Sequence, residues 1–280
     1  MGVIMKKRSF ILVAVASIAF ALSVPITLDT PTTSVTYAKS TKRIAGKTVA
    51  KAIKSTPDLN PTSSVRKYPA YIYDKYWKVF DRWYNVQPMS EPGTFNSKHT
   101  AKVYVANKAL KSYTYTAMQN WNKALKVKAF KLGTKSNHTI TVGFKNAGTG
   151  EGSWDGYYIT SKLFINYNFF DNANYMPAAY KAITGKAMPS ADKPNSAEYQ
   201  SIYDTYWKSV VTHELGHSLG LDHTPYSNDI MEADSGTRSG DAKYTWNSTK
   251  VVNDDYAIFE DKLSSRDINR AKLTKVLGYW

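Results

Sequence analysis

Apolar and polar positions along the chain alternate with two periods, and the order in which the periods appear predicts a series of strands and helices from residue 99 onward. Residues 139–144 (TITVGF) change face at every step, as a half-buried strand does. Residues 102–105, 156–160 and 163–169 are three further β-rich runs. Residues 113–127 instead place Ala117, Trp121, Ala124 and Leu125 at helical spacing. A second long helix is expected over 198–219, with Val210, Val211, Leu215 and Leu219 facing a core. A last one follows Ser264-Ser265-Arg266-Asp267, which reads as a capping box, with Ile268, Ala271, Leu273, Val276 and Leu277 as its stripe. Residues 171–197 hold Met176-Pro177 and Met188-Pro189 and read as an inserted loop, and 232–262 is polar and irregular.

Upstream the pattern changes. Lys6, Lys7 and Arg8 precede an apolar run from Phe10 to Leu22 that is short for a membrane span but suits the core of an export signal. Thr36-Tyr37-Ala38 offers a cleavage site, with Ala19-Phe20-Ala21 as a nearer competitor, and an uncleaved N-terminal anchor is the alternative. No later stretch approaches membrane-spanning length. Residues 39–67 are rich in Lys, Ser, Thr and Pro and read as a linker or leader. Residues 71–84 (YIYDKYWKVFDRWY) form an aromatic-rich amphipathic helix, in a propeptide or in the mature chain, before Pro88 and Pro92 break the chain. The expected organisation is thus a signal peptide over 1–38, a leader, propeptide or N-terminal extension over 39–95, and a main folded domain over 96–280.

Chemistry concentrates in the second long helix. Three of the chain's five histidines fall within eleven residues, His213-Glu214-Leu215-Gly216-His217-Ser218-Leu219-Gly220-Leu221-Asp222-His223. On a helix His213 and His217 lie one turn apart on one face, so both rings can reach one metal ion. Gly220 lets the chain leave the helix through a left-handed conformation and bring in His223. Three imidazoles leave a fourth position for water, as at a catalytic rather than a structural zinc site. Glu214, beside the first ligand, can take a proton from that water. A lone histidine on a helix is more often a plain core or surface residue, but this set of five matched positions is not.

The long motif, followed eight residues after His223 by Met231, resembles that of the metzincin metallopeptidases. The eight-residue interval and the hydroxyl residue Thr224 are most similar to the matrixin branch. The resemblance implies an α+β, metzincin-type zincin domain: a mixed twisted sheet, an active-site helix, a methionine turn and a C-terminal helix. It implies Met231 as the apolar floor beneath the metal, and an edge strand, placed at 153–159, that pairs with extended substrate. Position 233 is Ala, so the tyrosine ligand of astacin-like relatives is absent, and Glu232-Ala233-Asp234-Ser235 replaces the usual Pro/Tyr wall of the specificity pocket. His99 and His138 are too few for the family's second, structural zinc. The acidic and glycine residues of 148–156 offer oxygen ligands to a calcium ion, and a plain loop explains them equally well.

Composition narrows the setting. There is no cysteine, hence no disulfide framework and no thiol to cap the metal in a precursor. The formal charge is +15, of which +13 stays on a chain beginning at Lys39. Such a surface attracts polyanions, and for an exported protein these are anionic cell-wall or surface polymers rather than nucleic acid. The expected protein is a secreted, extracellular or wall-associated zinc endopeptidase acting on proteins or peptides. The alternative class is a non-catalytic surface-binding protein on the same fold, against which the intact Glu214 argues.

Overall fold

A computed structural model describes residues 46–54, 58–233 and 249–280. The expected export signal, its expected cleavage sites and the Asp234-Ser235 portion of the expected pocket wall lie outside these residues.

Two helices come first, α1 (Gly46–Lys54) and α2 (Ala70–Tyr84). Then follow β1 (Ala101–Val105), α3 (Lys111–Leu125), β2 (Phe130–Leu132), β3 (Ile140–Lys145), β4 (Gly156–Ile159) and β5 (Lys162–Asn166). The chain closes with α4 (Tyr167–Phe170), α5 (Tyr175–Thr184), α6 (Ala197–Ser218) and α7 (Ser265–Val276). The five strands form one mixed sheet in the order β2-β1-β3-β5-β4. All neighbours are parallel except β4, which runs antiparallel to β5 and forms an edge. That edge coincides with the stretch expected to meet substrate. This α+β arrangement is the one the metzincin resemblance implied.

The helices α3 and α6 pack on each other and against the sheet, α3 along β2 and α6 along β4 and β5. Trp121 fixes the pair, its indole N–H donating to the Thr212 carbonyl at 2.8 Å. Trp121, Trp207, Tyr206 and Phe130 are fully buried around this seam, each contributing about 1.5–3 kcal/mol of apolar burial. The core does not stop at the sheet. Val49 and Ile53 of α1 and Ile72, Phe80 and Tyr84 of α2 belong to the same continuous cluster as Val103, Leu215 and Leu273.

Three helices were not expected, nor was strand β2. α4 takes the end of the run 163–169 that reads as a strand: β5 stops at Asn166, whose side chain accepts from the Asn168 amide and caps the helical turn that follows. α1 lies in the stretch that reads as a linker, where its lysines obscure the short stripe Val49, Ala52, Ile53. α5 lies in the stretch that reads as a loop because of Met176-Pro177. Pro177 occupies its first turn, where a missing N–H breaks no helical hydrogen bond.

Candidate metal centre

The last turns of α6 carry His213, Glu214 and His217. Ser196 caps the helix start by accepting from the Tyr199 amide, and the helix ends as Leu221 N–H reaches back to the Gly216 carbonyl. Gly220 stands between them at φ +80. A Cβ there would lie 2.9 Å from the Gln87 carbonyl oxygen and 3.0 Å from the Tyr279 ring, so both backbone angle and space require glycine. The turn carries His223 back to the helix face.

The three rings face one another, with centroids 4.8, 5.2 and 4.9 Å apart, and one ring nitrogen from each lies within 4.8 Å of the other two. Local hydrogen bonds fix the tautomers of two of them. His213 Nδ1 is 2.7 Å from the Ile230 carbonyl and His217 Nδ1 is 2.7 Å from that of Leu221. A carbonyl only accepts, so Nδ1 carries the proton in both rings and Nε2 presents a lone pair. These two Nε2 atoms are 3.1 Å apart. With both rings neutral neither can donate to the other, so the contact is a repulsive pair of lone pairs that a cation between them would relieve. His223 Nε2 is buried and has no hydrogen-bond partner. Burial, and then the neighbouring imidazoles, push His213 and His217 down to about 3 and His223 well below its usual value. The rings therefore stay neutral, the state in which imidazole binds metal.

Glu214 sits beside this cluster, 2% exposed, with Oε2 unpartnered. Burial, then the charge of Asp155, raises its carboxyl well above the usual carboxylate range. Asp155 itself is buried, accepts from the Tyr175 hydroxyl, and is raised to about 6 by burial. It is one of the two acidic residues, with Glu151, that the sequence offered to calcium, and here it turns inward to tyrosines.

Met231 is fully buried under α6. A Cβ on Gly216 would run into its sulfur, so this glycine lets the methionine lie directly beneath α6. The loop from 224 to 233 closes on itself, the Thr224 amide donating to the Met231 carbonyl at 2.7 Å and the Ala233 amide to that of Thr224 at 3.1 Å. Asp267 on α7 receives the Ile230 amide at 2.9 Å as well as capping its own helix. Asp155, Asp267, Asn85, Gln87 and Arg270 all support this site, and sequence analysis gave none of them that place. Asp267 carried a local signal as a helix cap, and Asp155 only as an oxygen donor in the loop 148–156. His99 and His138 lie elsewhere, bound to the carbonyls of Trp280 and Thr134.

The donor set fits zinc: three buried neutral imidazoles converge on one point, and a tetrahedral ion held by three nitrogens would take a fourth, non-protein ligand. The matrixin family model, a peptidase family, matches residues 90–257, three-fifths of the chain. No curated protein matches it. The five-stranded mixed sheet with its helices agrees with a matrixin catalytic domain, and that family uses a catalytic zinc. The chain belongs to the matrixin family of zinc metallopeptidases.

Proposed function

We propose that this is an exported endopeptidase in which His213, His217 and His223 hold the zinc and Glu214 is the general base. The observation that carries the reading is the convergence of three lone pairs beside a buried, unpartnered carboxylate oxygen. Bound zinc supplies a Lewis acid that polarises water and the scissile carbonyl. Glu214 takes the proton of the attacking water and delivers it to the departing amine. Met231 floors the site, and Gly220 makes the turn that brings in the third ligand. The edge strand β4, packed against the ligand helix through Gly156, aligns extended substrate by adding it to the sheet. Export rests on the basic and apolar N-terminal pattern, and the +13 charge of residues 39–280 suits an anionic wall or surface polymer as its setting.

Cleavage of a mixed peptide library by residues 39–280 tests the assignment, run beside Glu214→Ala and with a zinc chelator. The expected result is cleavage by the wild type that vanishes in both controls, with zinc still bound by Glu214→Ala. Near-normal turnover by that variant would overturn Glu214 as the base.

A further inference from the structure

The third-ligand loop is held from outside by a part of the chain that the family match does not include. α2 ends at Asn85, which adopts the left-handed conformation (φ 47, ψ 62) and is almost completely buried. Its side-chain Nδ2 donates to the His223 carbonyl at 2.9 Å, and its own carbonyl accepts from the Asp222 amide at 3.1 Å. Val86 forms an antiparallel bridge with Leu221. The Gln87 amide donates to the Gly220 carbonyl at 3.0 Å. Gln87 Nε2 donates to Asp222 Oδ2 at 2.8 Å, and the other oxygen of that carboxylate receives the His223 amide at 2.8 Å. Residues 85–87 thus grip every residue of 220–223 through backbone or Asp222, while the imidazole of His223 faces the metal centre.

A buried arginine locks the grip. Arg270 of α7 donates through Nε to the Tyr84 carbonyl at 2.8 Å and through Nη2 to the carbonyls of Asn85 and Asp222. Removing residues 46–87 would take away two of these three carbonyls and leave a guanidinium in the interior without them, at a large cost. It would also uncover the apolar partners of Val49, Ile53, Ile72, Phe80 and Tyr84, all at 0–1% exposure.

We propose that residues 46–87 are a permanent part of the enzyme rather than a removable leader, and that Asn85 and Gln87 are positioning residues that set how tightly the third ligand holds metal. This rests on His223 being a zinc ligand. Partners one step removed from a metal ligand typically change its affinity by about 10–100-fold when lost.

The test uses the full chain with Asn85→Gly, which tolerates the left-handed backbone but removes the donor, and Gln87→Leu. Zinc affinity is measured by chelator competition, together with the visible spectrum of the cobalt(II)-loaded protein and the mass of the active species. Expected are a zinc affinity at least about tenfold weaker in each variant, an altered cobalt spectrum, and an active species that retains residues 46–87. Unchanged affinity and spectrum in both variants, even with lowered thermal stability, would overturn the positioning role. An active species beginning after residue 87 would overturn permanence. Zinc binding is read apart from cleavage, so weakened binding in both variants supports the positioning role even in a protein that cleaves nothing.

Discussion

Two glycines decide how closely α6 can approach its neighbours. Gly216 admits the sulfur of Met231 and the edge of the Trp121 ring, whose Cζ2 would stand 3.1 Å from an added Cβ. Gly156, at the start of β4, does the same for Glu214: a Cβ there would lie 2.5 Å from Oε1 and 2.8 Å from Val210 Cγ1. Because Glu214 is buried and packed, it cannot simply swing away. Gly156→Ala is therefore expected to displace the carboxylate and lower kcat at least about tenfold, with about 1–3 kcal/mol of stability lost to overpacking. Zinc affinity should stay within about twofold, because the imidazoles are oriented by Ile230 and Leu221 rather than by β4. Steady-state kinetics beside a zinc titration checks this, and an unchanged kcat would show that the strand does not place the base. Sequence analysis gave a role to Gly220 alone, whose place after the helix advertises a turn. The other two glycines serve partners that only the tertiary fold supplies.

At the scale of elements, the sequence makes the strongly periodic segments legible and hides those whose purpose is remote. α3, α6, α7 and strands β1, β3, β4 and β5 lie where the apolar pattern puts them, within a few residues, because each buries one face against the common core. The inserted loop proves to hold α5, and the supposed linker α1, because a proline and a run of lysines outweigh three or four apolar positions in any local reading. α7 was legible from its capping box, yet nothing local shows that Asp267 also holds the methionine turn through Ile230. Burial, then the neighbouring Asp229, raises Asp267 to about 7. Its folded value lies above the ordinary aspartate value, so the folded state binds the extra proton, and this group's contribution to stability declines as pH rises from about 4 to about 7. Asp267→Asn cannot titrate. Whatever its stability at pH 4, it should gain on the wild type as pH rises through that window and then run parallel to it. Denaturant titrations of both proteins at several pH values measure the gap; a constant gap would show that Asp267 is ionised throughout.

Across the whole molecule, three distant stretches meet: the end of α6 with the loop from 220 to 231 that follows it, the start of α7, and residues 85–87. No disulfide ties them, since the chain has no cysteine. Their meeting point is instead a cluster of buried imidazoles that face each other with lone pairs, a source of instability until a cation joins them. Metal binding and folding should therefore be strongly linked. At a free zinc concentration about a thousandfold above the dissociation constant, linkage adds about 4 kcal/mol of stability. For a domain of this size that is a rise in Tm of about 8–16 °C, at about 2–4 °C per kcal/mol. His223→Ala removes one of the three donors and should flatten most of the dependence of Tm on zinc. Gly156→Ala, whose ligands are intact, should keep it. Thermal melts across a zinc series separate the two, and a wild-type Tm indifferent to both zinc and chelator would mean that the three imidazoles are held together by packing alone.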